Sequence, residues 1–236
     1  MLISYSHQFI FFHVTKAAGT SMKDALKAYA EEPEHFKIKR PPQTVEGQPN
    51  KFYTMWEAML WHAKAQDARK ELPAEVFDRF YKFAFVRNPW DWQVSYYNFI
   101  LKEETHIRHE LVKTMAGGFE EYLEWVIATN NPFPKGATKL QKEIITDRQG
   151  NLLVDFIGRF ETLTQDFETV CNTLGLTVTL PHLNQSRQQR DYRPYYTDRT
   201  RQLVADHFGE DADLFGYTFE GHSGPIVLDK APAAIG

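Results

Sequence analysis

Three times along the chain, an apolar segment is followed by a short polar loop and an amphipathic helix, and this recurrence limits the fold more than any other feature. The apolar segments of the first two units are residues 9–14 and 83–86, and the third unit spans residues 151–176. The segments are short and rich in aromatic or β-branched residues, as buried strands are. Apolar strands that alternate with helices favour a parallel sheet covered by helices on both faces. The sequence therefore predicts an α/β fold with a P-loop-like parallel β-sheet flanked by helices on both faces.

Local signals indicate where several helices begin and end. Asn88, which stands before a proline, is typical of an N-cap, and Gly175 is typical of a helix C-terminus. Ser21 and Asp24 fit the capping-box pattern at the start of the first helix. Residues 31–50 carry four prolines and predict a long irregular excursion.

The composition narrows the classes of function. The chain has 236 residues and a net charge of −4, so no global positive field points to nucleic acid or to an acidic membrane surface. The single cysteine, Cys171, excludes an internal disulfide, and the nine histidines show no metal-ligand spacing, so we expect no metal. No apolar stretch approaches the roughly 20 residues that span a bilayer, and the N-terminus lacks the features of a signal peptide. These observations predict a cytoplasmic protein without a membrane span.

Two loops, at residues 15–21 and 87–91, follow the first two predicted strands. Ligands of parallel sheets bind at such carboxyl ends. In the first loop Lys16 precedes Gly19, whereas the Walker motif G-x-x-x-x-G-K-[ST] places its lysine after the glycines. Lys16 and the free backbone N–H groups of a helix start would together offer a point charge and a dipole to one anionic group.

The second loop predicts a separate anion site. Arg87 carries a planar guanidinium that suits a phosphate group. Ser95 lies one helical turn beyond Asp91 and can reach the same anion. Two anion sites at adjacent strand ends suit a ligand with two phosphates set apart better than a triphosphate, whose charges lie in one row.

The stretches "HVTKAAGTS" and "FAFVRNPWDWQVSYY" resemble the two signature motifs of the carbohydrate sulfotransferases that use 3′-phosphoadenosine 5′-phosphosulfate, PAPS. Farther along, "DFIGRFETLTQDFETVCNTLGL", "LPHLNQSR" and "YYTDRTRQLV" are similar to bacterial members of that family. The resemblance runs from about Phe9 to Phe219 and implies a single sulfotransferase domain over residues 1–236. Many family members have a proline at the position of Thr15.

The resemblance also implies roles for particular residues. The 5′-phosphosulfate would be bound by Lys16, Ala18, Gly19, Thr20 and Ser21. Arg87 and Ser95 would bind the 3′-phosphate, and Ser186 and Arg187 lie where family members place a loop that covers PAPS. The donor would be PAPS and the product adenosine 3′,5′-bisphosphate, without a metal. The acceptor would bear a hydroxyl group, on a carbohydrate or a glycosylated small molecule.

His62 is the predicted general base, and Lys16 the second predicted catalytic residue. His62 precedes a helical stripe that begins at Ala65, where the positive end of the helix dipole would favour a neutral, proton-accepting imidazole. The segment also resembles "HATA" in bacterial family members. His106 and His109 are the alternative histidine bases.

Two other functions stay open at this point. A P-loop-type kinase would need ATP, Mg²⁺ and a Walker lysine followed by Ser or Thr, an order that this sequence lacks. A catalytically silent nucleotide-binding module would bind adenosine 3′,5′-bisphosphate tightly without turning over any acceptor. The oligomeric state is not predicted by any pattern in the sequence.

Overall fold

The computed structural model describes residues 1–33, 40–130, 132–133, 138–181, 191–226 and 228. Its strands are β1 (Leu2–Ser4), β2 (Phe9–Phe12), β3 (Thr44–Val45), β4 (Gln48–Pro49), β5 (Tyr81–Val86), β6 (Phe156–Arg159), β7 (Tyr217–Thr218) and β8 (Gly221–His222). Its α-helices are α1 (Gly19–Leu26), α2 (Lys51–Trp61), α3 (Ala65–Glu71), α4 (Ala74–Arg79), α5 (Pro89–Lys102), α6 (His109–Lys113), α7 (Gly118–Ala128), α8 (Leu163–Leu174) and α9 (Asp198–Phe215). Short 3₁₀ turns occupy Gln141–Ile144 and Arg193–Tyr195.

The central sheet has the strand order β1-β2-β5-β6 and is flanked by helices. Strands β2, β5 and β6 run parallel, with Phe9 opposite Tyr81 and Phe83 opposite Phe156. The predicted α/β fold is therefore confirmed. Strand β1 adds an antiparallel edge to the sheet, which the sequence analysis missed because the strand is only three residues long.

The core lies on both faces of the parallel strands. Every residue of β2 and β5 is buried, which is why these segments read as continuous apolar runs rather than alternating ones. The Phe83 ring packs against Phe9 and Phe11 of the neighbouring strand, with ring centroids 5.9 and 5.3 Å apart. These contacts fix the register of β2 and β5, so the loops that leave both strands emerge side by side.

Two predicted helix ends are confirmed and one is wrong. Helix α5 begins after Asn88, whose side chain accepts the N–H of Trp90, and α8 ends at Gly175 with φ 65°. The predicted capping box at Ser21 is absent, because α1 already begins at Gly19 and its N-cap, Ala18, caps no N–H with its side chain. Left-handed backbone in the preceding loop turns the chain into the helix earlier than the sequence pattern indicates.

The predicted position of His62 at the start of a helix is also wrong. Residues 51–61 form α2, which the sequence analysis did not predict, and His62 is its C-terminal cap. The N–H of His62 bonds back to the carbonyl of Ala58, and the next helix starts only at Ala65. His62 therefore lies at the negative end of a helix dipole and not at the positive end.

The third predicted strand–helix unit is confirmed, since β6 and α8 both lie within residues 151–176. Its strand is β6, which begins at Phe156, and the preceding Asp155 forms a buried ion pair with Lys82 of β5 at 2.8 Å.

The helices that the structure describes include none long and apolar enough to cross a membrane.

Candidate active site

The two predicted anion loops meet at the carboxyl edge of the sheet. Arg87, directly after β5, donates from Nη1 to the carbonyl of Lys16 at 3.1 Å. The same Nη1 donates to the Ser95 Oγ at 2.9 Å. Arg87 and Ser95, predicted as partners for one anion, therefore lie together, and the backbone of the lysine loop is joined to them directly.

The Arg87 side chain is held in one orientation. Its Nε donates to Asp91 at 2.6 Å, and both side chains are more than 90% buried, at 7 and 9% exposure. Its guanidinium also lies over the Phe160 ring, 3.9 Å from the centroid. A guanidinium fixed on three sides loses little conformational freedom when an anion binds, which increases affinity.

The main chain of Arg87 is clamped by Gln141, a contact between residues 54 apart in sequence. The side-chain amide of Gln141 accepts the Arg87 N–H at 2.9 Å and donates to the Arg87 carbonyl at 2.7 Å. Gln141 is held in turn by Asp211 of α9, whose carboxylate accepts the backbone N–H groups of Gln141 and Lys142 at 2.7 and 2.9 Å. Burial raises the pKa of Asp211 to about 7, although these two N–H groups oppose the shift.

Gln141→Leu is expected to destabilise the protein by about 2–4 kcal/mol. Leucine fits the volume but leaves the buried N–H and carbonyl of Arg87 without partners, at about 1–3 kcal/mol for each group. Chemical denaturation measures the loss. Gln165→Leu, on the exposed face of α8, is the matched control and should change the free energy of unfolding by less than about 0.5 kcal/mol. Equal effects of the two substitutions would contradict the clamp.

The lysine loop is tied to α5. The Trp92 Nε1 donates to the Thr15 carbonyl and the Tyr96 hydroxyl donates to the Thr15 Oγ1, both at 2.7 Å. The Thr15 side chain therefore anchors the lysine loop to α5. The Lys16 ammonium lies over the Phe99 ring, also on α5, at 3.8 Å from the centroid.

Two non-glycine residues of this loop adopt left-handed backbone conformations. Lys16 has φ 62° and Ala18 has φ 63°. Each such residue costs about 1–2 kcal/mol, and strain of this kind concentrates at functional sites. The strained turn carries the chain from the end of β2 into α1, so that the N-terminal N–H groups of α1 border the site.

Gly19 begins α1 and lies against His13. A Cβ added to Gly19 would come within 2.0 Å of the His13 Cδ2 and Nε2 atoms. Only glycine therefore allows this close approach of the ring to the helix start.

Gly19→Ala is expected to destabilise the protein by about 1–3 kcal/mol, the usual cost of overpacking a buried contact. Gly209→Ala in α9 is the matched control, because its Cβ would meet no atom within 4 Å. In a helix interior that change should stabilise by up to about 1 kcal/mol. Thermal unfolding of both variants measures whether each substitution raises or lowers the stability. A Gly19→Ala protein more stable than wild type would contradict the close contact between Gly19 and His13.

His13 is a site residue that the sequence analysis missed. Its ring stacks on Trp61 with centroids 4.2 Å apart and lies 5.2 Å from the His62 ring. Burial, reinforced by the positive charges of His62, the N-terminus, Lys16 and Lys23, holds the pKa of His13 well below its ordinary value. The sequence contained a signal for this site residue, since His13 is a polar residue at the end of an apolar strand, three positions before Lys16.

One cavity of about 1490 Å³ joins these groups. The predicted site residues that line it are Lys16, Ala18, Gly19, Thr20, Ser21, His62, Arg87 and Ser95. His13 lines the same cavity. Ser186 and Arg187, the other predicted PAPS-binding residues, lie outside the described residues. Within the described part of the chain, no group of three or more His, Cys, Asp or Glu side chains could hold a metal ion.

Comparison with known proteins agrees with this arrangement. An uncharacterized protein of Archaeoglobus fulgidus is 29% identical over 114 residues, which make up 48% of this chain and 82% of that protein. The family model described as the sulfotransferase family matches residues 1–218, a span that contains both predicted anion loops and most of the residues that line the cavity. With a lysine loop and an arginine–serine pair at adjacent strand ends, the chain belongs to the sulfotransferase family, whose members transfer sulfuryl groups.

Proposed function

We propose that this protein transfers the sulfuryl group of PAPS to a hydroxyl group of an acceptor. The observation that carries the proposal is the hydrogen bond from Arg87 to the Lys16 carbonyl. It joins two cationic loops at neighbouring strand ends within one cavity. In this proposal residues 1–236 form one sulfotransferase domain.

The cavity fits a donor with two separate phosphate groups. Arg87 and Ser95 would hold the 3′-phosphate, because the guanidinium and the hydroxyl already lie 2.9 Å apart and both line the cavity. Lys16 and the N–H groups of Gly19 to Ser21 would hold the 5′-phosphosulfate at the positive end of α1. Gly19, Thr20 and Ser21 all line the cavity, so the start of α1 faces it, with the His13 ring beside Gly19.

In this proposal the protein forms no covalent bond with the sulfuryl group during the transfer. As in phosphoryl transfer, catalysis would rest on positioning and on stabilising the negative charge that develops on the leaving phosphate oxygen. Lys16 supplies a positive charge for that oxygen. Its loop is fixed by three contacts, which come from Arg87, Trp92 and Tyr96.

His62 would take the proton of the acceptor hydroxyl. It lines the cavity with Lys16, and its backbone is fixed as the C-terminal cap of α2. The negative end of the α2 dipole would stabilise the positive charge that the imidazole gains on accepting a proton. His106 also lines the cavity and is the alternative base.

We propose a neutral carbohydrate or a glycosylated small molecule as the acceptor class. The cavity wall includes Phe99, over whose ring the Lys16 ammonium lies, and also His106 and Ile107, so aromatic and apolar side chains form part of its surface. Sugar rings pack well against such surfaces. Glu103 also lines this part of the cavity and would repel a polyanionic chain.

Arg87→Lys tests the 3′-phosphate site. Lysine keeps a positive charge beside the buried carboxylate of Asp91, whereas alanine would leave that carboxylate unpaired. We expect the affinity for adenosine 3′,5′-bisphosphate to fall about 10–100-fold, because the fork geometry is lost. The affinity for adenosine 5′-monophosphate should change by less than about 3-fold, because that ligand has no 3′-phosphate to contact residue 87.

Calorimetry with both nucleotides measures this difference. Arg199→Lys, at an exposed surface ion pair, is the control and should leave both affinities unchanged. Equal losses for the two nucleotides in Arg87→Lys would remove Arg87 from the 3′-phosphate site.

An acceptor screen with labelled PAPS tests the reaction itself. Transfer of label that persists in EDTA supports sulfuryl transfer from PAPS. Magnesium-dependent transfer from ATP would instead support the kinase alternative. Tight binding of adenosine 3′,5′-bisphosphate without transfer to any of a broad panel of sugars, glycosides and phenols would support the silent binding module.

A further inference from the structure

His13 is buried but lies at the edge of the cavity. Its residue surface is 8% exposed, and its ring lines the cavity next to Lys16 and Gly19. The ring plane is fixed by stacking on Trp61 at an interplanar angle of 27°. The Nε2 edge of the ring lies against Gly19, the first residue of α1.

The two ring nitrogens of His13 have different surroundings. Nδ1 is buried and has no hydrogen-bond partner among the described residues. A proton on Nδ1 would therefore be a buried donor without an acceptor, which is unfavourable. Nε2 lies on the ring edge next to Gly19, and both His13 and Gly19 line the cavity. The neutral ring should therefore carry its single proton on Nε2.

Burial and the charges around His13 favour this neutral form. Burial has the largest effect on the pKa of His13, the ammonium groups of Lys16 and Lys23 lower it further, and His62 and the N-terminal amine act in the same direction when they are protonated. A neutral imidazole with a fixed N–H is a hydrogen-bond donor that stays available over the whole neutral pH range.

We propose that His13 is an anion-binding residue whose Nε2–H donates a hydrogen bond to the anionic group bound at the start of α1. The identity of that anion as the sulfuryl end of PAPS rests on the proposed function, whereas the anion contact itself does not. His13 would then be a further hydrogen-bond donor to the anion, in addition to the Lys16 ammonium and the N-terminal N–H groups of α1.

Nuclear magnetic resonance tests the contact without turnover. Long-range ¹H–¹⁵N spectra of the ¹⁵N-labelled full chain, with His13 assigned by its loss in His13→Gln, report which nitrogen is protonated. We expect a neutral ring with the proton on Nε2 at pH 7, and a shift of the Nε2 signal on titration with adenosine 3′,5′-bisphosphate or with inorganic phosphate. A proton on Nδ1, an imidazolium at pH 7, or an unmoved Nε2 signal while the Gly19 amide responds would overturn the proposal.

Two substitutions distinguish the contribution of the His13 Nε2–H from that of ring stacking on Trp61. His13→Phe keeps an aromatic ring on Trp61 but has no N–H, and His13→Gln keeps an N–H near Nε2 but does not stack. If the N–H matters, His13→Phe should lower kcat with PAPS about 10–100-fold, and His13→Gln should stay within about 10-fold of wild type. A folded His13→Phe protein with wild-type kcat and nucleotide affinity would overturn the proposal.

The outcomes distinguish this proposal from the proposed function. If inorganic phosphate shifts the His13 signal but neither PAPS nor adenosine 3′,5′-bisphosphate is bound, the anion contact stands and the donor assignment fails. If the bisphosphate binds and moves the Gly19 amide without any response of His13, the donor site stands and the role of His13 fails. Should the variants not fold, His13 is assigned in the wild-type protein by through-bond experiments from its backbone amide, and the wild-type spectra then decide.

Discussion

Lys16→Met is expected to lower kcat about 10²–10³-fold, because in the proposed mechanism it removes a positive charge that stabilises the developing charge on the leaving oxygen. Methionine keeps an unbranched stem that can pack against Phe99, over which the ammonium now lies at 3.8 Å. The affinity for adenosine 3′,5′-bisphosphate should fall less than 10-fold, roughly, since an interaction strongest in the transition state affects turnover more than ground-state binding. Steady-state kinetics with labelled PAPS measure kcat, and calorimetry measures the affinity for adenosine 3′,5′-bisphosphate.

Lys23→Met is the matched control. Lys23 lies in α1, one turn beyond Gly19, and its residue is exposed to solvent. The Lys23→Met protein should retain kcat within about 2-fold, because Lys23 does not line the cavity. A loss of nucleotide affinity in Lys16→Met that equals the loss in kcat would show that Lys16 serves donor binding and not the transfer step.

The meeting of the two anion loops could be predicted from the sequence because both follow apolar strands. Buried parallel strands are recognisable as continuous apolar runs, and the carboxyl ends of such strands share one edge of the sheet. The pairing of Arg87 with Ser95 was equally readable, since Ser95 lies one helical turn beyond Asp91 in the helix that begins directly after Arg87 and Asn88.

The contacts that position Arg87 could not be predicted in the same way. Gln141 and Asp211 lie 54 and 124 residues beyond Arg87 in the sequence, and neither stands in a recognisable motif. A buried amide in a short 3₁₀ turn, or a buried carboxylate within a helix, gives no local signal, because the backbone groups that it satisfies belong to another part of the fold. Side-chain to backbone pairs of this kind become visible only in three dimensions.

Helix α2 was missed for a different physical reason. Its apolar residues do not lie on one buried face, since Phe52, Met55 and Met59 are 57, 55 and 51% exposed. Sequence periodicity detects a helix through the contrast between an apolar and a polar face, and α2 has little contrast. With α2 unrecognised, His62 was assigned to the wrong end of a helix, although its place in the cavity does not depend on that assignment.

His62→Ala is expected to lower kcat about 10²–10⁴-fold, the usual consequence of losing a general base. The affinity for adenosine 3′,5′-bisphosphate should stay near wild type, because the acceptor proton plays no part in donor binding. In the wild type, kcat should fall as the pH decreases through the range where imidazole takes up a proton, because only the neutral ring can accept one. That acidic limb of the pH–rate profile should be absent from His62→Ala. Kinetics with a confirmed acceptor between about pH 5 and 9 measure both effects.

His207→Ala, at an exposed position of α9, controls for the loss of a histidine and should leave kcat and the pH profile unchanged. Because the His62 ring lies only 5.2 Å from His13, a loss of kcat accompanied by a similar loss of nucleotide affinity would indicate a disturbed anion site and not a missing base. Normal turnover with an unchanged acidic limb would exclude His62 and direct the search to His106, which lines the same cavity. Partial rescue of His62→Ala by added imidazole would in contrast establish the proton transfer, because a free base in the space left by the ring can replace that function alone.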